Sequence, residues 1–95
     1  MKELLEILNE PSDDYWFAEG GGIARSIIDE NAPKLFCDLL KMWKSMAVMQ
    51  QERLAYLLEA GGSDVEDDLI SDMLTSENKE VAYRAWEAQC YRDSL

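Results

Sequence analysis

Residues 51–89 read QERLAYLLEAGGSDVEDDLISDMLTSENKEVAYRAWEAQ, and this stretch decides the fold. Its apolar residues recur three and four positions apart, which places them on one face of a helix. Gly61-Gly62 and the polar run at positions 75–78 interrupt this spacing and predict helix ends. The stretch therefore predicts the end of one helix, a second helix from residue 64 and a third over residues 79–92.

The helix that begins at residue 64 has the clearest local signals. Ser63 precedes it as an N-cap, and Glu66 three residues later completes a capping box. The apolar face of this helix consists of Val65, Leu69, Ile70, Met73 and Leu74. In the last helix, the residues predicted to face inward are Val81, Ala82, Ala85, Trp86 and Gln89.

The first half of the chain continues the helical pattern. Pro11 ends a helix over residues 2–9, and Ser12 is the predicted N-cap of the next. The Gly20-Gly21-Gly22 run either breaks that second helix or marks a close packing point inside one longer helix, and the sequence leaves both interpretations open. Pro33 suits the first position of a further helix. The inward residues of that helix are Leu35, Phe36, Leu39, Leu40 and Trp43.

A chain of 95 residues is expected to form one domain, residues 1–95. The pattern predicts an all-α fold of five to seven helices. Residues 33–60 and 64–92 are each a pair of helices joined by a short turn, at a period of about 31 residues. Two antiparallel helices per unit at such a period are typical of helical repeats, so the predicted architecture is a stack of helical hairpins.

The stretch 51–89 also resembles HEAT-type repeats. RLAYLLEAGGS looks like the close of one unit, LISDML like the first helix of the next, and SENKEVAYRAWEA like its turn and second helix. The resemblance covers less than half of the chain, and the segment DDYWFAEGGG departs from it. It implies a HEAT-like α-solenoid fragment. Small acidic domains of this kind in turn resemble bacterial immunity proteins, which neutralise toxins of contact-dependent growth inhibition and polymorphic toxin systems.

The composition is strongly acidic. Twenty Asp and Glu residues against nine Lys and Arg residues give a net charge of −11. This charge lies at both ends, because residues 1–32 carry two basic and eight acidic groups, residues 33–60 four and three, and residues 61–95 three and nine. Such a field attracts cationic proteins and repels nucleic acid and anionic membranes, although solubility alone is another use for it. We therefore expect a basic protein partner, and no binding to nucleic acid or membrane.

The residues that catalysis most often needs are missing. The chain has no His, the usual general base near neutral pH and the commonest nitrogen ligand for metals. Cys37 and Cys90 lack a zinc spacing, and the acidic run 64–68 lacks the alternating ligands of a calcium loop. We therefore expect no enzyme activity, no cofactor and no metal. Two cysteines beside apolar residues, without a signal peptide or a long apolar run, favour a cytoplasmic protein with buried, reduced thiols.

Two acidic segments are candidates for the partner-binding surface. In the first, carboxylates flank three consecutive aromatic residues, which cannot all face one core. The residues assigned to it are Asp13, Asp14, Tyr15, Trp16 and Glu19. In the second, carboxylates about four residues apart form a ridge opposite the apolar face. Its residues are Asp64, Asp67, Asp68 and Asp72.

These features together favour a stoichiometric inhibitor of a basic toxin domain, with a nuclease as the natural target. Such a protein is expected to be a monomer alone and a heterodimer with its toxin. Two alternatives remain open. One is a phage-type acidic mimic of nucleic acid, of the anti-restriction or anti-CRISPR kind, and the other is a structural adaptor. A solvated acidic face and full packing of the aromatic rings are the structural alternatives for the two segments.

Overall fold

The computed structural model describes residues 1–58 and 63–93, with side chains to residue 90. In these residues it shows six helices and no strand. They are α1 (Lys2–Leu8), α2 (residues 13–31), α3 (Lys34–Met42), α4 (Val48–Leu57), α5 (Asp64–Met73) and α6 (Lys79–Asp93). The predicted all-α fold of five to seven helices is confirmed. The radius of gyration, 12.2 Å, is that of a compact chain of this length.

Helix α2 runs through the glycine triplet without a break. It consists of an α-helical turn at Asp13–Tyr15, a π-helical turn at Trp16–Gly20 and a longer α-helical segment at Gly21–Asn31. The predicted N-cap is confirmed, because the Ser12 hydroxyl accepts a hydrogen bond from the backbone N–H of Tyr15. Of the two interpretations of the glycines, the structure therefore supports a packing point inside one long helix.

Gly20 provides the space for that packing. A Cβ atom at this position would lie 3.1 Å from Cε3 of Trp16 and 3.6 Å from Cδ1 of Ile7. Helix α1 packs on α2 here. At Gly22, by contrast, a Cβ atom would meet nothing within 4 Å. Only the first glycine of the triplet is thus needed for the close approach of α1 to α2 at this point.

The core lies between all six helices. Leu4, Leu8, Ala24 and Ile28 supply its N-terminal part. The inward face predicted for α3 is confirmed at Leu35, Phe36, Leu39 and Trp43, all of which are buried, while Leu40 is partly buried. On α5, Leu69, Ile70 and Met73 are buried and the remaining two predicted residues pack against them.

Of the two predicted hairpins, the structure forms the second, whereas α3 and α4 of the first pack mainly on other helices and not on each other. Helix α3 lies against α5, α4 lies against α6, and α5 and α6 form the second predicted hairpin. The inner face of α6 matches the prediction at Val81 and Ala85, which are buried, and in part at Ala82 and Gln89, which are partly buried. Trp86 is half exposed, and Ala88 is buried instead. Ala85 and Ala88 are buried where α6 meets its neighbours. Their small side chains let the helices approach closely, so an indole ring does not fit between them.

Helix α4, the second helix of the predicted pair over residues 33–60, covers Val48–Leu57. It begins at Val48, because Ala47 is extended and its N–H donates to the side chain of Gln50. It ends at Leu57, and the predicted stop at Gly61-Gly62 lies outside the described residues. In the part of the chain with described structure, no helix combines the length and the apolar character needed to cross a membrane.

Two arginine side chains connect the N-terminal helices α1 and α2 to α4 and α5. Arg53 of α4 is 6% exposed and donates to the carbonyl oxygens of Leu8 (3.2 Å) and Glu10 (2.7 Å) and to the carboxylate of Asp13 (2.9 Å). Its guanidinium also lies 4.9 Å from the ring centroid of Trp16. The turn between α1 and α2 is therefore held by one side chain from a distant helix.

The second arginine, Arg25 of α2, binds both carboxylate oxygens of Glu66 at 2.7 and 3.2 Å. Glu66 is 1% exposed, so this pair ties α2 to the start of α5 inside the protein. The Ser63 hydroxyl accepts from the Glu66 N–H, which confirms the predicted N-cap. The backbone N–H of Glu66 thus takes part in the local cap, while its side chain, which the sequence assigned to a capping box, binds Arg25.

The glycine triplet offers a matched pair of substitutions. We expect Gly20→Ala to lower the free energy of unfolding by about 1–3 kcal/mol, because the added Cβ meets the buried Trp16 ring. Gly22→Ala is expected to raise it by about 0.5–1 kcal/mol, because alanine favours a helix and the site is open. Urea denaturation of both variants checks this, and equal signs for the two changes would contradict it.

Arg53→Met tests the arginine at the α1–α2 turn. It keeps the apolar stem and removes the donors, so two carbonyl groups lose their partner and the free energy of unfolding is expected to fall by about 2–4 kcal/mol. The control is Lys34→Met, an exposed position on α3 where the expected change is within about 0.5 kcal/mol. Indistinguishable urea midpoints for the two variants would refute the role given to Arg53.

Candidate protein-binding surface

The aromatic run 15–17 divides between the core and the surface. Trp16 is 1% exposed, Phe17 is 69% exposed and Tyr15 is intermediate between them. The sequence expectation that at least one of these rings is exposed is confirmed. The assignment of Trp16 to the partner-binding surface is wrong, because its indole is enclosed against Gly20 and Arg53. Phe17 presents the ring that a partner can reach.

Phe17 belongs to a larger group of exposed rings. Its ring meets that of Tyr56 edge to face, with centroids 6.1 Å apart and an interplanar angle of 89°. Tyr83 stacks on Trp86 at 5.9 Å and 30°. The Arg84 guanidinium lies 5.6 Å from the Tyr56 ring centroid and 5.9 Å from that of Tyr83, and so joins the two pairs. These five residues form one continuous surface, the aromatic cluster.

Helix packing explains why these rings lie outside. Helices α4 and α6 pack closely along each other, and their facing sides carry mainly leucine and small residues. The buried residues of these two helices include Leu54, Ala55, Val81, Ala85 and Ala88. The larger rings of Tyr56, Tyr83 and Trp86 lie outside this contact and remain about half exposed. Exposed apolar rings that meet one another are a feature of binding surfaces more than of a solvated face.

A groove with an acidic rim adjoins the cluster. Phe17, Tyr56 and Met49 form its apolar walls, and Trp16 and Arg53 lie beneath. Asp13, Glu52 and Glu80 bring carboxylates to it, and Arg84 closes one side. The groove thus combines aromatic faces with carboxylate oxygens, which are the groups that bind cations by cation–π contact and by charge-assisted hydrogen bonds.

The first predicted acidic segment lies next to this groove. Asp13 is exposed although its carboxylate pairs with Arg53, and it forms part of the groove. Asp14 and Glu19 are exposed on the same helix, α2. The structure therefore brings Asp13 of this segment into one groove with Tyr56 of α4 and Arg84 of α6, which were not assigned to any site from the sequence.

The second predicted segment is a separate part of the surface, on α5. Asp64 and Asp68 are exposed there, while Asp67 and Asp72 are partly buried. Asp72 accepts a hydrogen bond of 2.7 Å from the indole nitrogen of Trp43. Asp72 therefore positions a core tryptophan, which a carboxylate reserved for a partner would not do. Asp64 and Asp68 on the same ridge are exposed to solvent.

None of the five members of the aromatic cluster was assigned to a site from the sequence, although Phe17 lies inside the first predicted segment. Tyr56 lies outside the leucine stripe of α4, and that position alone could have placed it on the surface. Trp86 could not have been found in this way, because its spacing from Ala82 and Ala85 is that of an inward residue. Tyr83 and Arg84 gave no signal of their own. Their significance depends on rings contributed by other helices.

The cysteines and metal ligands add no further site. Cys37 is exposed, so its predicted burial is wrong, while Cys90 is partly buried, and both are free thiols. Among residues 1–58 and 63–93, no group of three Asp, Glu or Cys side chains is placed to hold a metal ion. Comparison of the chain with protein-family models, curated proteins and solved structures found no match.

The neighbours Trp16 and Phe17 allow a direct test of the division between core and surface. Trp16→Ala is expected to lower the free energy of unfolding by about 3–5 kcal/mol, as for other buried aromatic residues. Phe17→Ala is expected to change it by less than about 1 kcal/mol, because the ring is mostly in solvent. Both values can be read from urea titrations. A Phe17→Ala loss as large as that of Trp16→Ala would mean that the ring serves the fold.

Proposed function

We propose that this chain binds a basic protein and neutralises it, in the manner of a bacterial immunity protein acting on a toxin domain. The observation that carries the proposal is the aromatic cluster, a continuous exposed surface of four rings and one arginine on a chain of net charge −11. Tyr, Trp and Arg are the residues most enriched at binding hot spots. Their exposure in the free protein calls for a partner, because the fold makes little use of them.

The charge distribution supports a cationic partner. Carboxylates of Asp13, Glu52 and Glu80 stand beside the cluster, and exposed acids on α5 extend the negative field over another part of the surface. Such a field speeds the encounter with a basic protein, while apolar contact at the rings slows dissociation. The acidic residues are therefore assigned to guiding the encounter with the partner, and the rings of the aromatic cluster to holding the bound partner.

A nuclease domain is the partner class we favour. Nucleases carry basic surfaces where they hold phosphate, and an acidic protein seated there excludes the substrate. Such an inhibitor acts in the cytoplasm, where an incoming nuclease meets nucleic acid, and it forms a one-to-one complex with its target. The small size, the acidic charge and the all-α fold are the features by which the chain resembles bacterial immunity proteins, and they are in keeping with this proposal.

Capture of the partner tests the function. The tagged protein is incubated with bacterial lysate at low salt, and the bound proteins are eluted by raising the salt and purified. We expect a basic protein that cleaves plasmid DNA or total RNA, and that loses this activity when one equivalent of the chain is added. The double variant Phe17→Ala/Trp86→Ala should fail to capture it, because two rings of the aromatic cluster are gone.

The matched control is Lys34→Ala/Lys41→Ala, which changes two exposed side chains on α3 away from the cluster. It should capture the partner as the unchanged protein does. Equal capture by both double variants would refute the cluster as the binding surface, and full cleavage activity in the saturated complex would refute neutralisation. Displacement of the partner by duplex DNA alone, with both variants binding equally, would favour the nucleic-acid mimic instead.

Electrostatic steering gives a second expected result with the purified partner. The association rate constant should fall by about tenfold or more between 50 and 500 mM salt, because the Debye length shrinks and opposite charges no longer guide the encounter. Asp64→Asn/Asp68→Asn should lower the rate at low salt and leave the dissociation rate nearly unchanged. Stopped-flow measurement checks both, and a rate constant independent of salt would exclude steering.

A further inference from the structure

We infer that the groove beside Tyr56 is a binding site for an arginine side chain of the partner, and that Arg84 fills this site in the free protein. The inference deepens the proposed function, on which it rests, by naming the group that is recognised. It depends on the position of Arg84 among the aromatic rings and on the carboxylates that surround it.

Arg84 shows that the site accepts a guanidinium. Its Cζ atom lies 5.6 Å from the ring centroid of Tyr56 and 5.9 Å from that of Tyr83, both within cation–π range. One ring belongs to α4 and the other to the helix that carries Arg84 itself. A guanidinium from outside the chain would find the same ring of Tyr56 and the same stacking plane.

The carboxylates around the groove outnumber the cations that the chain supplies to it. Asp13, Glu52 and Glu80 line it together with Arg53 and Arg84. Arg53 is committed to the backbone carbonyls of the α1–α2 turn and to Asp13, so it cannot move to other partners without loss of that turn. When Arg84 leaves, Glu52 and Glu80 remain beside the Tyr56 ring and can receive another guanidinium.

Arg84 is held in a way that permits its departure. Its side chain is 37% exposed, and its ion pair is with Glu87, one turn away on the same helix, at 2.9 Å. Exposed pairs of this kind contribute little to stability, and Arg84 can keep Glu87 while its guanidinium turns towards solvent. An arginine inside an interface gains more from the same ring, because water is excluded there. The exchange of one guanidinium for another is therefore favourable on binding.

Arginine fits this site better than lysine. The guanidinium is planar, stacks on aromatic faces and donates in several directions at once, so one group can combine contact with the Tyr56 ring and hydrogen bonds to carboxylates that line the groove. An ammonium group offers a point charge without a stacking plane. The site is thus expected to distinguish these two cations, which a general acidic surface would not.

The test uses small probes and needs no knowledge of the partner. Nα-acetyl-arginine amide is titrated into the protein and followed by NMR of the tyrosine rings, with Nα-acetyl-lysine amide and the uncharged Nα-acetyl-citrulline amide as comparison probes. The arginine probe is expected to shift the resonances of Tyr56. Arg84→Ala should tighten its binding by about threefold or more, because the internal competitor is gone.

Two further variants define the site. Tyr56→Leu should abolish the specific binding, and its well-dispersed NMR spectrum would show that the half-exposed ring is not needed for folding. The dissociation constant of the arginine probe for the Arg84→Lys variant should lie between the values for the unchanged protein and for Arg84→Ala. The inference is overturned if Arg84→Ala leaves the dissociation constant unchanged, if acetyl-citrulline amide binds as well as the arginine probe, or if the Tyr56 resonances do not shift.

These results separate the inference from the function it rests on. Loss of partner capture in the Phe17→Ala/Trp86→Ala variant is measured with the partner and does not depend on the arginine probe. If the protein captures and neutralises its partner but does not bind the arginine probe, the proposed function is supported and the arginine site is refuted. If the protein binds the arginine probe at Tyr56 but neutralises no partner, the arginine site is supported and the proposed function is refuted.

Discussion

The guanidinium of Arg53 is the interaction on which the rest of the structure depends. It enters from α4, lies against the Trp16 ring and satisfies two carbonyl oxygens where the chain turns from α1 to α2. A buried cation without such partners would be strongly destabilising, so the arginine and the turn require each other. With Trp16 fixed inward in this way, the next residue, Phe17, has to point to the surface.

A second arginine, Arg25, also connects distant helices through a buried ion pair. Arg25 and Glu66 join α2 to the first turn of α5, so the long second helix is fastened to α4 and α5 by charged groups as well as by apolar packing. A chain of 95 residues has a small core, and apolar surfaces alone permit several alternative packings. Paired charges discriminate among them, because any arrangement that separates Arg25 from Glu66 leaves a charge buried alone.

The aromatic cluster is a consequence of this packing. Helices α4 and α6 approach closely through Ala55, Val81 and Ala85, and the larger rings of both helices are thereby left outside. The π-helical turn of α2 then adds Phe17 to them. Rings from three helices thus meet on one surface beside a groove with an acidic rim, although no two of these helices are consecutive in the chain.

The sequence by itself determined the helices, the caps at Ser12 and Ser63, and the inward faces of α3 and α5, because these features follow from residues within a few positions of one another. Only the tertiary structure decided that Trp86 faces outward, that the glycines lie within one continuous helix, and that Arg53 and Arg25 find acids 40 and 41 residues away. It also decided which residues make up the aromatic cluster. The physical reason is that local periodicity defines which side of a helix is apolar, whereas burial and charge pairing depend on which other helix lies against that side.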